Sequence, residues 1–389
     1  MRTPVVVVTG QGDDADDIAG EMLAGPGTAL VQHRFDGHVV HRTTTLTQRG
    51  VALTADAVLE LAHGCVSCTV RNDLLDHLRR LHRRPDVHRI AVLLASWMEP
   101  EPVCFAITRS PVARDVSISA VIASVDTSTW LAQGLGEGEL DDGRTVAQVV
   151  VAQVEFADVV VLTRPHPETL AVCRRLAPRA RITVGTSRLE LALAHLEPDA
   201  RRGRSDSPHD PLLAGQPPLE VAGAVQLIDF QARRPFHPAR LHAAVDMLLD
   251  GVVRSRGRLW LASQPERVMW LESAGGGLRV EQAGKWLAAM TSHEVAYVGP
   301  ERRAIADLIW DYRYGDRHTS LTVLVCGADP AAIRGALQDA LLTDDEMGHP
   351  DQWRHYDDPF GDWHVDPCDD GVRAVRSDGG APEGGAGEA

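Results

Sequence analysis

The sequence is poor in lysine, aromatic residues and long apolar runs, and these shortages exclude several classes of protein. Its 389 residues include one lysine, Lys285, and only 5% aromatic residues. No apolar run approaches the length that a membrane-spanning helix needs, and the N-terminus does not resemble a secretory signal. The six cysteines are scattered apart from one pair, so we expect a cytoplasmic protein with reduced thiols.

The balance of charge is acidic, with a formal net charge of −15. Broad contact with phosphate groups is unfavourable for such a chain, so we expect no specific DNA binding and no membrane partner. A basic protein or a metal cation is easier to accommodate.

The shortage of lysine matters most near the N-terminus. Residues 5–9 are predicted to form a buried strand, followed by a glycine turn and a helix over residues 13–23. A phosphate loop at this position needs G-x-x-x-x-G-K-[ST], but the turn is GQGDDADD, and Lys285 lies far along the chain. Gly10 and Gly12 therefore remain as the glycines of a degenerate nucleotide site.

Two cysteines stand at C-x-x-C spacing in GCVSCTVRNDL, residues 64–74. The segment is predicted to be a turn that leads into a helix, and the N-terminus of a helix favours the thiolate form of cysteine. Cys65 and Cys68 would suit one edge of a tetrahedral zinc site, or they could be structural thiols below a turn. One C-x-x-C motif alone does not decide between these alternatives.

The order of the predicted elements indicates two domains. Strands alternate with helices over residues 1–196, which predicts an α/β domain with a mainly parallel sheet and helices on both faces. Residues 197–222 are rich in Pro, Arg, Asp and Gly and are predicted to be a linker. A smaller α+β domain is predicted over residues 223–370, and residues 371–389 are predicted to be a disordered tail.

A second candidate metal site lies near the C-terminus. Its possible ligands are His349, His355, His364 and Cys368, interleaved with aromatic residues. The spacing matches no compact zinc finger. The alternative is that the aromatic residues attach this segment to the second domain and leave the histidines at the surface.

Several segments in the right order resemble the CobW-type P-loop GTPases, a family linked to metal handling. The segment LELAHGCVSCTVRNDL resembles that family's GCxCCxxRxDL segment with its preceding glutamate. The segments RRPFHPARL, VVRSRGRLWLA, GDRHTSLTVLV and LLTDDEM resemble parts of its C-terminal domain. The resemblance implies a P-loop-type first domain and a CobW-type C-terminal domain. It also makes zinc binding at Cys65 and Cys68 the preferred interpretation, with Glu60 as a possible further ligand because Ser67 replaces the family's middle cysteine.

The departures from the family concern the nucleotide motifs. The phosphate loop is replaced, the Asn-Glu after the second strand becomes His33-Arg34, and the guanine-specificity motif falls at residues 163–166, which keep none of its specificity residues. The glutamate and glycine of a fourth motif become Leu93 and Ser96. We therefore expect a protein that neither binds GTP and Mg²⁺ tightly nor hydrolyses GTP.

The GQGD turn, GCVSCT, RTVAQVVV and RPFHPARLHAAVD also resemble a narrower actinobacterial branch, the ribosome hibernation factor-recruiting proteins. This resemblance implies a recruitment protein that acts under zinc limitation, with a ribosome hibernation-promoting factor and the ribosome as partners. The alternative is a CobW-type zinc metallochaperone that still uses GTP, with Arg34 or Arg164 supplying the charge of the missing lysine. A third possibility is a zinc reservoir.

Overall fold

The computed structural model describes residues 1–48, 51–62 and 65–361, which form two compact units. The first unit comprises residues 1–205, 215–226 and 274–277, and the second comprises residues 206–214, 227–273 and the described residues from 278 onward. Residues 197–222, predicted as a linker, contain no helix or strand and are divided between the units. The predicted tail, residues 371–389, lies outside the described residues.

The first unit is built on an eight-stranded sheet with the order β4-β3-β2-β5-β1-β6-β7-β8. Strands β2, β5, β1, β6, β7 and β8 are parallel, whereas β3 and β4 continue the sheet in antiparallel fashion. The strands are β1 Thr3–Gly10, β2 Thr28–Phe35, β3 Val40–Gln48, β4 Val51–Leu59, β5 Arg89–Leu93, β6 Val116–Val125, β7 Val159–Leu162 and β8 Arg181–Val184. The predicted mainly parallel sheet is confirmed.

Helices cover both faces of this sheet because its central strands are apolar on both sides. In β1, Val5 and Val7 face one core, whereas Val6 and Val8 face the other. The helices of the unit are α1 Asp13–Ala24, α2 Val66–His82, α3 Pro100–Arg109, α4 Trp130–Gly134, α5 Val146–Glu155, α6 Pro167–Leu176 and α7 Leu189–Ala194. Helices α2 and α3 pack on the Val5 side, and α1 and α7 pack on the Val6 side.

Two elements of the first unit differ from the sequence prediction. No helix was predicted in the Pro-rich segment after β5, but Pro100 begins helix α3. Proline is tolerated there because the first N–H groups of a helix have no partner within it. The hairpin of β3 and β4 was not predicted, because β4 is exposed along most of its length and its sequence lacks the expected alternation.

The second unit contains a five-stranded sheet with the order β12-β11-β10-β13-β9, in which β10 is antiparallel to β11 and β13. Its strands are β9 Val225–Ala232, β10 Val252–Leu259, β11 Arg267–Ala274, β12 Gly277–Lys285 and β13 Thr319–Cys326. Its helices are α8 Pro238–Ala244, α9 Ser292–Ala296, α10 Pro300–Leu308, α11 Pro330–Asp339 and α12 Asp344–Met347. The predicted α+β arrangement is confirmed.

Both faces of the second sheet are also covered. Leu241 of α8 and Leu337 of α11 belong to the core on one face, and a tryptophan-rich cluster that includes Trp260 and Trp286 covers the other. In the part of the chain that the structure describes, no helix is long and apolar enough to span a membrane.

Candidate functional site

A pocket of about 560 Å³ lies at the carboxyl ends of β1, β2 and β5 in the first unit. Its lining includes Gly10 and Gly12, the residues predicted for a degenerate nucleotide site, together with Asp13 and Asp16 of α1. Ligands of open α/β sheets bind at this edge, where strands end and helices begin. The position is therefore that of a phosphate-binding site, and its chemistry depends on the residues of the turn.

The turn between β1 and α1 is fixed by side chains. Gly10 packs so closely on Ser124 that a Cβ atom would lie 2.8 Å from the serine Cβ. The amide of Gln11 donates hydrogen bonds to the Ser96 carbonyl at 2.7 Å and to Gln153 Oε1 at 3.2 Å. Gln153 donates in turn to the carbonyls of Ser96 and Met98. Two glutamines thus attach the turn to the segment that follows β5.

The charge at the start of α1 is negative. Asp13, Asp14 and Asp16 occupy the first turn of the helix, where a phosphate loop would present N–H groups to phosphate. Burial raises the pKa of Asp14, and the neighbouring carboxylate of Asp126 raises it further, while Arg164 acts in the opposite direction. These residues do not fit a nucleoside triphosphate in the manner of a phosphate loop.

The structure also places the cations that were considered as substitutes for the missing lysine. Arg34 lines the pocket, whereas Arg164 acts electrostatically on Asp14 and Asp126. Lys285 is at the end of β12 in the second unit, where its ammonium group lies 2.6 Å from a carboxylate oxygen of Glu294.

A buried polar network connects the wall of this pocket with α2. His33 of β2 lines the pocket, and its Nε2 atom lies 2.8 Å from one carboxylate oxygen of Asp73 in α2. Arg42 of β3 donates to the other oxygen at 2.5 Å. Burial favours the neutral acid, but the hydrogen bonds from His33 and Arg42 prevail and lower the pKa of Asp73. Sequence analysis identified His33 only as a departure from a motif, because a pairing across forty residues has no local signal.

The two cysteines lie at the start of α2. Cys65 is the N-cap residue, and its sulfur accepts a hydrogen bond from the backbone N–H of Cys68 at 3.2 Å. The helix begins at Val66, earlier than predicted, so Cys68 lies within its first turn. Arg71 Nη2 lies 3.8 Å from the Cys68 sulfur, and both cysteines are half-buried. A helix N-terminus and a neighbouring guanidinium group both favour thiolates.

Thr69 fixes the cysteine turn. Its hydroxyl accepts a hydrogen bond from the backbone N–H of Ala62 and donates one to the carbonyl of Cys65, each at 2.8 Å. The N–H of Cys65 also bonds the carbonyl of Ala62 at 3.0 Å. The conformation that places Cys65 at the N-cap is therefore specified locally, but no sequence motif indicated the role of Thr69.

Among the described residues, the structure brings no third ligand to this pair. Glu60 is exposed, and across residues 1–48, 51–62 and 65–361 no three His, Cys, Asp or Glu side chains group as metal ligands would. Zinc binding at Cys65 and Cys68, with or without Glu60, stays a prediction.

Two of the C-terminal candidates lie among the described residues. His349 and His355 are exposed, while Trp353 and Phe360 are buried in the two cores of the second unit. The burial of these aromatic residues is compatible with the packing alternative, and metal binding by the candidate set stays a prediction. His364 and Cys368 lie outside the described residues.

Comparison with known proteins places this geometry in a family. The CobW/HypB/UreG nucleotide-binding domain matches residues 31–167, and the cobalamin synthesis protein cobW C-terminal domain matches residues 225–341. A Mycobacterium tuberculosis protein named as a zinc chaperone is 62% identical over 379 residues, which cover 95% of each chain. A zinc-regulated GTPase metalloprotein activator of Dictyostelium discoideum is 27% identical, over 78% of this chain and 70% of its own.

One solved structure, the Zn(II)-bound YjiA GTPase of E. coli, is 17% identical and covers 88% of this chain and 100% of its own, with a TM-score of 0.37. That score is too low to support an argument about this protein. The M. tuberculosis relative and the two family models suffice for the assignment. The chain belongs to the CobW family, with a nucleotide-binding domain first and a CobW C-terminal domain second.

Proposed function

We propose that this protein is a zinc metallochaperone of the CobW type, which binds Zn²⁺ at Cys65 and Cys68 and passes it to a recipient protein. The observation that carries the proposal is the pair of half-buried cysteines at the N-terminus of α2, in a turn that Thr69 specifies. The zinc-related names of the M. tuberculosis and D. discoideum relatives support it.

A site in which the described residues supply two ligands suits transfer. Structural zinc sites are closed by four protein ligands, whereas two thiolates leave positions for water or for the ligands of a recipient. Zinc binds cysteine as the thiolate, so the affinity for Zn²⁺ should rise with pH. The metal is the cargo in this proposal, and the recipient's ligands replace Cys65 and Cys68 one at a time.

Zinc stoichiometry and competition with a chelator test this proposal. The full chain should bind about one Zn²⁺, and Cys65→Ser/Cys68→Ser should lose it. Cys173→Ala is the matched control, because burial raises the pKa of the Cys173 thiol to about 12 and keeps it protonated. Unchanged zinc binding in the double variant, with the control also unchanged, would exclude the cysteine turn as the site.

We propose further that this metallochaperone does not bind GTP tightly, in contrast to a metallochaperone that is a GTPase. The acidic first turn of α1 and the glutamines that anchor the preceding turn support weak binding of GTP. Calorimetry with GTP and Mg²⁺, on zinc-free and zinc-loaded protein, should give no heat of binding at hundreds of micromolar. Micromolar binding would restore the GTPase alternative and leave the zinc proposal intact.

A second candidate is recruitment of a ribosome hibernation-promoting factor to ribosomes under zinc limitation. The acidic first turn of α1 favours recruitment over catalysis, because acidic residues at this position disfavour the binding of GTP. A protein that does not hydrolyse GTP would act by binding its partners. A pull-down from zinc-starved cells with the full chain as bait should capture the factor. Absence of the factor, in a preparation that still binds zinc, would reject recruitment and leave the metallochaperone role.

A further inference from the structure

The second unit contains a cavity of about 400 Å³ that none of the functions considered above uses. It lies beside helix α10, near the end of β9 and the start of β13. Three arginines contribute to its wall, together with two aspartates, two histidines and several apolar side chains. The arginines are Arg233, Arg258 and Arg302. A cavity with a cationic wall and an apolar remainder indicates an anionic ligand that also has an apolar part.

Arg258 is the most informative residue of this wall. It is only 6% exposed, and its Nη1 atom donates to the carbonyls of Pro208 and Asp210 at 2.8 and 2.9 Å. Its Nε atom has no hydrogen-bond partner, and among the described residues Arg258 forms no ion pair. Burial accordingly lowers its pKa to about 10. Burial of a cation without a direct ion pair is costly. The Asp210 carboxylate offsets part of that cost through its charge, and a bound anion would offset more of it.

Among the described residues, the titratable groups near Arg258 form no ion pair with it. The carboxylate of Asp210 acts on Arg258 through its charge alone, and Asp229, which lines the cavity, accepts a hydrogen bond from Gln231 at 2.9 Å. Burial and then Arg302 lower the pKa of His209 to about 3, and burial lowers that of His318 to about 4, so both imidazoles are neutral at pH 7. Asp316 is in the wall, but its two oxygens accept hydrogen bonds from the backbone N–H groups of Leu287 and Ala288, each at 2.9 Å. The carboxylate of Asp316 is thus bound to neutral donors.

The rest of the wall is apolar and partly aromatic. Trp286 is 1% exposed and its indole N–H has no hydrogen-bond partner, although the residue lines the cavity. Ile305 and Ile309 line it from α10 and its end. Leu308, Trp310 and Tyr312, which overlap or directly follow this stretch, are exposed. Exposed aromatic residues that lie close together are more common at binding sites than on the rest of a protein surface.

We propose that this cavity binds a carboxylate group, which Arg258 pairs with while Trp286, Ile305 and Ile309 contact the apolar body of the ligand. Arginine suits a carboxylate because its guanidinium group stays charged and forms strong, charge-assisted hydrogen bonds. The carboxylate belongs either to a small organic acid or to the C-terminus of a peptide. In both cases Arg258 would bind the carboxylate and the apolar side chains would contact the rest of the ligand. The site is independent of zinc binding at Cys65 and Cys68.

Titration of the full chain with chosen probes tests the proposal, by calorimetry and tryptophan fluorescence. Hexanoate should bind at least tenfold more tightly than hexanamide, which has the same body without the charge. A short peptide that ends in leucine should likewise bind more tightly as the free acid than as the amide. Tighter binding of hexanoate identifies a small acid, and tighter binding of the peptide identifies a partner's C-terminus.

Two variants and a control complete the experiment. Arg258→Gln should weaken hexanoate binding at least tenfold, whereas Arg317→Gln should not, although Arg317 is also part-buried and donates to carbonyls. Should Arg258→Gln fail to fold, Ile305→Trp fills the cavity from a half-buried position and should abolish binding. Equal binding of acid and amide, equal binding of inorganic phosphate, or no binding of either acid at 10 mM would each overturn the proposal.

Discussion

Replacement of Asp73 by asparagine tests whether the network between the pocket and α2 is held by charge. The side chain of Asp73 is 11% exposed, and it accepts hydrogen bonds from His33 and Arg42. The Asp73→Asn change would keep the shape of the side chain and leave the buried guanidinium group of Arg42 without its counterion. Loss of one partner of a buried ion pair costs about 3–5 kcal/mol. Because an asparagine oxygen still accepts one hydrogen bond, we expect a loss of about 2–3 kcal/mol.

Urea denaturation measures this loss, and hydrogen exchange of the amides in α2 and β3 assigns it to the first unit. Asp86→Asn is the matched control: Asp86 pairs with Arg84 at 2.8 Å, but both side chains are more than one third exposed. An exposed pair contributes only about 0.2–1 kcal/mol, so the control should unfold almost as the wild type does. Equal stability losses in the two variants would refute the argument that buried charge determines the effect.

Three further predictions concern single residues. Burial lowers the pKa of His77 to about 4, so the unfolded chain takes up a proton at a higher pH than the folded chain does. The first unit should therefore lose stability on the order of 3 kcal/mol as the pH falls from about 6.5 to 4. Hydrogen exchange should show this loss in the wild type and not in His77→Gln. The hydrogen bonds of Arg240 lower the pKa of Glu346 to about 2, and an NMR titration of Arg240→Gln should show that pKa rise toward its usual value. Gly257→Ala would drive a Cβ atom into the carbonyl oxygen of Ser320 on the neighbouring strand, so thermal unfolding should show a loss of about 3 kcal/mol in the second unit.

The elements that the sequence predicted well are those whose own residues specify them. The run Val5–Val8 is apolar at every position, as a strand covered on both faces must be. The hairpin of β3 and β4 was missed because its exposed strand is stabilised mainly by pairing with its neighbour. Helix α3 was not predicted, because proline is disfavoured at most positions of a helix and the first turn, where Pro100 lies, is the exception.

The candidate sites were predicted less completely, because contact between distant residues leaves no local pattern. The cysteine pair was visible from its spacing, but the two hydrogen bonds of Thr69 that fix its turn were not. The cavity around Arg258 joins residues from separate segments of the chain, so no motif could indicate it. The aromatic residues near the C-terminus were visible in the sequence, but the burial of Trp353 and Phe360 in cores depends on tertiary packing that no local pattern indicates.

The packing of strand β1 against helix α1 in the nucleotide-binding domain does not depend on a bound nucleotide. Val6 and Val8 of β1 pack against Ile18 and Met22 of α1, and none of these contacts involves a phosphate. In the turn between β1 and α1, Gln11 supplies hydrogen bonds from within the chain. The same fold can carry sites of different chemistry, because the core residues that stabilise it are not the residues of the sites. The function of this protein therefore has to be tested at its cysteine turn and its cavities.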